Sequence, residues 1–276
     1  MSEAPSRARR LGVVTRYREH AAAFSPAFWE VKDVGGAWID PPPGAIPMVS
    51  CFGDNRLGRA HPDWIQVDQE GTLATRESRY FDWTAICPSQ EPVRAQAQSW
   101  VRKALEQSGG QDLRLDDVSF ARDGYCRCPA CLSAMKESGS DWSLYRQDTL
   151  TEFVRAVRPL VSGRLYLTLY PDPYPGHLEE RFGLDIDRLK GVVDAFVLPI
   201  YDLAYSTTYW LEVLARGFVD RLAPTPWLLE LYGLDVAEAA LGRAVDVAAF
   251  YADRVVIAYD RDLDKLKRLE ARLQRE

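Results

Sequence analysis

A chain of 276 residues can bury one large hydrophobic core without help from disulfides. Its net charge of −6 argues against a nucleic-acid binder, which presents a basic patch or stripe. No run of about eighteen apolar residues and no apolar leader is present, so the sequence reads as a cytoplasmic protein with no membrane span.

In chain order, the only basic cluster is Arg7-Ala8-Arg9-Arg10, which reads as a flexible, solvated tail over residues 1–10. Residues 11–276 read as one domain. Eight short apolar runs follow: Leu11–Thr15, Ile46–Phe52, Trp83–Cys87, Leu113–Asp116, Leu165–Leu169, Ala195–Ile200, Trp227–Leu231 and Val255–Tyr259. Between them lie segments with a helical repeat. Pro92 to Gln107 places Val93, Ala97, Trp100, Val101, Ala104 and Leu105 on one face, with Pro92 suited to the first turn and Gly109-Gly110 to the stop. Ser143–Val161, Thr207–Val219, Val236–Tyr251 and Asp262–Leu273 read the same way. The long stretch Glu19–Gly44, rich in Pro, Gly and aromatics, reads as an extended connection after the first strand.

Eight strands alternating with helices predict the α/β class and a (β/α)8 TIM barrel. An open doubly wound sheet is the competitor. It is disfavoured because no Gly-x-Gly-x-x-Gly turn follows any run.

Functional groups of a barrel gather at the C-terminal ends of its strands. The fourth run ends in Asp116-Asp117, the sixth leads into Tyr201-Asp202, and the seventh contains Glu230. Strand alternation turns Leu113 and Leu115 toward the helices and Arg114 and Asp116 into the barrel. Asp117 points outward on an ideal strand but can swing inward where the strand gives way to a loop. By the same alternation Leu229 and Leu231 face the helices and Glu230 points inward. A Glu in so apolar a run is costly without a role or a partner. The alternative for Arg114 and Glu230 is a salt bridge that merely fills the barrel.

Glycoside hydrolysis needs two carboxyl groups flanking the scissile bond. Asp116 or Asp117 on the fourth strand and Glu230 on the seventh could supply such a pair; Asp116 and Glu230 are the first candidates, with Asp117 and Asp202 next. Tyr170, Tyr201 and Tyr232 are expected to bind substrate, since flat amphipathic rings suit sugar faces, and the inward Arg114 is expected to bind it with them. Most large aromatics only pack loops onto a barrel. Asp172 and Asp260 read as caps or surface groups.

Three of the five cysteines fall in Cys126-Arg127-Cys128-Pro129-Ala130-Cys131. Structural zinc takes four Cys or His ligands in a tetrahedron. Cys87 is the natural fourth ligand and Cys51 the reserve. Such a site would pin the loop and not activate water. The alternative is three free thiols. His20, His61 and His177 have no neighbouring histidine or nucleophile motif.

Three stretches resemble a known group. His61-Pro62-Asp63-Trp64 through Gly71, Cys87-Pro88-Ser89, and Leu113–Asp117 followed by Tyr125–Cys131 are similar to segments of glycoside hydrolase-like barrel proteins. More distantly, they resemble the family 42 β-galactosidases. The resemblance covers residues 46 to 135. It implies a zinc ion on Cys87, Cys126, Cys128 and Cys131. It also implies an acid/base at Asp116 or Asp117 and a nucleophile at Glu230. The family has Asn-Glu where this chain has Asp116-Asp117. The wording Leu-Arg-Leu-Asp also resembles the α-amylase group. There Asp116 would attack, and Asp202 or Glu230 would protonate the leaving group.

The expected function is hydrolysis of a glycosidic bond in a carbohydrate. The alternative is a non-catalytic, carbohydrate-binding barrel with a structural zinc. The sugar and any homo-oligomeric state are left open.

Overall fold

The computed structural model of the chain describes residues 10–79, 81–122 and 124–275. Apart from Arg10, the expected tail lies outside the described residues. Eight parallel strands close into a barrel in sequence order: β1 (Leu11–Thr15), β2 (Ala27–Lys32), β3 (Ile46–Ser50), β4 (Leu113–Asp116), β5 (Leu165–Thr168), β6 (Ala195–Pro199), β7 (Trp227–Tyr232) and β8 (Arg254–Ala258). The closing pair is β1 with β8, in register from Leu11 opposite Val255 to Val14 opposite Ala258.

Nine helices are described outside the barrel: α1 (Arg18–Ala23), α2 (Asn55–Ala60), α3 (Glu91–Ser108), α4 (Pro129–Ser138), α5 (Trp142–Val157), α6 (Ile186–Lys190), α7 (Tyr209–Leu222), α8 (Glu238–Tyr251) and α9 (Leu263–Arg275). The (β/α)8 architecture is therefore as expected. None of these helices is long and apolar enough to cross a membrane.

Two elements differ from the sequence reading, and they cancel in the strand count. Ala27–Lys32 is the second barrel strand, inside the stretch expected to be a connection. Its inward positions hold Phe28, then Glu30, so a single charged residue breaks the apolar run while Ala27, Trp29 and Val31 pack outward. Trp83–Cys87 is not a barrel strand. It lies in a long excursion between β3 and α3. There Ala85 bridges Gly53 and Ile86 bridges Ile65, both antiparallel. Its composition suits a strand, but composition does not say which sheet the strand joins.

Alternation along the strands separates two cores. Leu113, Leu115, Leu229 and Leu231 join the layer between barrel and helices. Val14, Phe28, Met48, Tyr166, Val197, Leu228 and Val256 fill the barrel interior. Helix α3 shows how the outer layer is made. Val93, Ala97, Val101 and Ala104 are buried at helical spacing, Pro92 sits in the first turn, and Gly109 closes the helix at φ 59°.

Candidate functional site

The C-terminal mouth of the barrel gathers four acids. Glu30 ends the inward face of β2, Asp116 ends β4 with Asp117 directly after it, and Glu230 lies on β7. All four line one inner cavity of about 200 Å³, together with Arg114, Trp83, Tyr170, Tyr201 and Tyr259.

Arg114 and Glu230 are each 1% exposed. The Arg114 guanidinium forms a salt bridge with Oε2 of Glu230, and the Tyr201 hydroxyl donates to Oε1. Arg114 Nε also donates to Thr168 Oγ1 at 3.0 Å, and its guanidinium lies 5.0 Å from the Phe28 ring centre. Burial opposes the Arg114 charge, but Glu230 and then Asp116 more than offset it and raise its pKa. Both oxygens of Glu230 are thus engaged.

Asp116 stands differently. It is half-buried, and its carboxylate has no hydrogen-bond or ion-pair partner among the described residues. Asp117 turns inward because its backbone adopts the left-handed region, at φ 51°. That turn undoes the outward direction of an ideal strand. Enclosure in the mouth pushes its carboxyl up to about 7, with the charge of Asp116 the next cause.

The contacts of Asp117 serve both of its protonation states. Ser50 Oγ lies 2.5 Å from Asp117 Oδ2 and 2.9 Å from the Gly53 carbonyl. An ionised Asp117 accepts the Ser50 proton. A neutral Asp117 donates to Ser50, which then donates to Gly53. In either state the Gly53 carbonyl also accepts from Lys32 Nζ at 2.7 Å. Lys32 is buried and paired with Asp54 at 3.0 Å. Gly53 allows the close approach, since a Cβ there would stand 2.9 Å from both Asp117 Oδ2 and Trp83 Nε1.

Asp117, Trp83 and Tyr170 also line a second, outer cavity of about 260 Å³. Its other walls include Phe81, Phe120, Phe182 and Arg122. Tyr170 stacks on Phe182 with ring centres 3.9 Å apart, and its hydroxyl pairs with Ser119 Oγ at 2.9 Å. Asp117 therefore forms part of the wall between the two cavities.

Two of the expected residues stand apart. Asp202 is exposed, and its Oδ1 accepts the backbone N–H groups of Ala204 and Tyr205, so it shapes a turn. It lines neither cavity. Tyr232 packs at 5.4 Å from Tyr201 and also lines neither cavity. Asp172 is held by Arg181 at 2.6 Å and by His177, and Asp260 pairs with Lys265 at 2.6 Å.

Glu30 was not expected, because its strand was not. Its carboxylate pairs with Arg16 at 3.0 Å and lies 3.3 Å from the Tyr259 hydroxyl. Burial raises its pKa in spite of Arg16, and Asp116 adds to the rise. The signal that could have found it is the period-2 pattern from Ala27 to Val31.

The cysteines converge next to this mouth. Cys87, Cys126, Cys128 and Cys131 are all buried, and their sulfurs lie within 4.8 Å of one another. None is in a disulfide. Cys87 reaches them on the excursion between β3 and α3, where its N–H donates to the Trp64 carbonyl at 2.8 Å. Trp64 closes a single 3-10 turn, Pro62–Trp64, and stacks on His61 at 3.9 Å. Cys51 sits elsewhere, with its sulfur 3.5 Å from the Val49 carbonyl. A tetrahedral ion with bonds of about 2.3 Å sets its sulfurs about 3.8 Å apart, so the cluster fits a thiolate-bound metal.

No family model matches the chain, and no curated protein sequence matches it. Solved structures do. The PgaB (BpsB) glycoside hydrolase domain from Bordetella bronchiseptica is similar over 98% of this chain and 99% of its own, with TM-score 0.72 and 14% identity. Alpha-L-fucosidase isoenzyme 2 from Paenibacillus thiaminolyticus gives TM-score 0.66 at 14% identity over 97% of this chain, which spans 49% of that one. TtGalA, an alpha-galactosidase from Thermus thermophilus, gives TM-score 0.53 at 16% identity over 98% of this chain and 66% of its own. At such identities the likeness establishes the fold: a TIM barrel of the kind found in glycoside hydrolases.

Proposed function

We propose that residues 11–276 form a catalytic barrel that hydrolyses a glycosidic bond of a carbohydrate. Asp117 is the proton donor and Asp116 the second reacting carboxylate. The observation that carries this reading is the place of Asp117 in the wall shared by two cavities. A proton donor to a glycosidic oxygen must stand between the sugar rings on either side of the bond. A carboxyl raised to about 7 is also suited to holding that proton near neutral pH. Ser50 accommodates the group before and after it gives the proton up.

Asp116 takes the other role because its oxygens are unengaged. A carboxylate that attacks a sugar carbon, or takes a proton from water, needs a free oxygen facing the substrate. Glu230 is held at both oxygens by Arg114 and Tyr201, so it fixes the floor of the inner cavity and offers negative charge to an oxocarbenium-like transition state. Tyr170 and Trp83 line the passage from one cavity to the other, and Tyr201 lines the inner one.

The four-cysteine cluster holds zinc in this reading. All four positions of a tetrahedron come from the protein, so the ion would brace the loop after β4 and take no part in the chemistry. The similarity of the cysteine pattern to that of the family 42 β-galactosidases supports the assignment.

The test is a panel of nitrophenyl glycosides against wild type, Asp117→Asn and Asp116→Asn. Turnover by wild type, loss in both variants, and rescue of Asp116→Asn by azide would support the roles. Unchanged turnover in Asp117→Asn would overturn them. No turnover on any substrate, with sugar binding retained, would favour a carbohydrate-binding barrel.

A further inference from the structure

Exposed aromatic and apolar side chains are concentrated on one rim of the mouth. Within the ten residues from Tyr201 to Trp210, Tyr201 is 45% exposed, Leu203 77%, Tyr209 61% and Trp210 66%. Such side chains lose contact with water only when something covers them, and one cluster of this kind on a soluble surface marks a binding area. The segment links β6 to α7. Because barrel helices run antiparallel to the strands, the first turn of α7 lies at the C-terminal face, on the same side as the acids. The segment is also continuous with the inner cavity: the Tyr201 ring is partly open to solvent, while its hydroxyl touches Glu230.

The outer cavity carries aromatics too. This cavity, which shares Asp117 with the inner cavity that Tyr201 lines, is walled by Phe81, Trp83, Tyr170 and Phe182. Flat rings thus lie on both sides of the proposed proton donor. A site that removes single end sugars needs a closed pocket on one side; a site open and ring-lined on both sides accommodates a chain. Tyr and Trp suit this role, since each offers a flat apolar face beside a polar edge.

We infer that the substrate is a polysaccharide that crosses the mouth from the outer cavity to the first turn of α7, and that it is cut internally. The inference rests on the hydrolase reading and names the substrate class of the same site. The bond broken is a glycosidic C–O bond. Water supplies a hydroxyl to the anomeric carbon and a proton to the departing oxygen, so no co-reactant is needed.

The experiment uses the whole chain. Asp117→Asn, with and without Tyr209→Ala and Trp210→Ala together, is run by affinity electrophoresis through gels containing xylan, mannan, galactan or partly deacetylated chitin. Tyr209 and Trp210 are exposed and outside the reacting cluster, so the double change leaves folding intact, as circular dichroism would verify. Retardation in at least one gel, weakened about fivefold or more by the double change, is the expected result. With active protein, the retained polymer should fall first to mid-length fragments. Nitrophenyl glycoside turnover should change less than about twofold in the double variant, because a single ring does not reach α7.

Equal retardation with and without the aromatics, or single sugars as the first products, would overturn the inference while leaving the hydrolase reading intact if small glycosides are still cleaved. A dimer that the double change disperses would also overturn it, by assigning the aromatics to a second copy. Polymer retention with no cleavage of any substrate would overturn internal cleavage along with the hydrolase reading.

Discussion

Arg114 on β4 spans the barrel interior to meet Glu230 on β7, and the two are almost fully shielded from water. This pair ties together strands that are not neighbours and sets the floor on which the other acids stand. Removing one partner leaves a buried charge uncompensated. Glu230→Ala is expected to lower stability by about 3–5 kcal/mol in urea denaturation. Replacing both Arg114 and Glu230 by Met should restore much of the loss, because breaking a buried pair costs more than replacing it.

The pH dependence follows from Asp117. A carboxyl raised from the usual range to about 7 by enclosure must be protonated to act as a donor. The rate should therefore fall as pH rises through 7, by about tenfold per unit beyond it. The stability sign is the same. An acid whose pKa is higher in the folded state contributes fully below its unfolded value, near 4, and loses that contribution as pH rises through 7. Asp117→Asn should flatten this slope, so that melting temperatures of variant and wild type move apart between pH 5 and 8.

Gly53→Ala tests the packing behind Asp117, the proposed proton donor. The added Cβ would lie 2.9 Å from Asp117 Oδ2 and from Trp83 Nε1, so one of them must shift. A displacement of this kind should reduce turnover by about a hundredfold, with KM the lesser change. Steady-state kinetics on any active glycoside would measure both.

The sulfur cluster makes a separate prediction. Freshly purified protein should contain about one zinc per chain by elemental analysis. Cys128→Ser should lose the metal and lower the melting temperature, while Cys51→Ser should retain it, since Cys51 lies outside the cluster. A strong chelator should mimic Cys128→Ser in the wild type.

The barrel was legible because apolar residues at alternate positions report which side of a strand is buried. Leu113, Leu115, Leu229 and Leu231 point where that rule places them, and so do Arg114 and Glu230. Ala27–Lys32 follows the same alternation, with Ala27, Trp29 and Val31 outward, but it went unread because it lies within a stretch whose Pro and Gly content reads as a connection, and Glu30 was missed with it. Trp83–Cys87 shows the converse error, a strand-like run that pairs outside the barrel. The inward turn of Asp117 depends on one backbone angle, and the Asx turn of Asp202 depends on where its loop leads. Neither is written in residue type alone. Cys87 does gather with the three later cysteines, but not as the end of a barrel strand: it reaches them on an excursion that pairs outside the barrel.

Trp83 and Cys87 lie four residues apart, which at about 3.3 Å per residue separates them by no more than about 13 Å. One end is held among four sulfurs and the other forms a wall of both cavities. The excursion therefore works like a tie rod: slack introduced at its anchored end is passed to the far end with little chain in between to absorb it. The shape of the mouth would then depend on whether that sulfur cluster is filled, and a metal bound there would influence the mouth without lying in it.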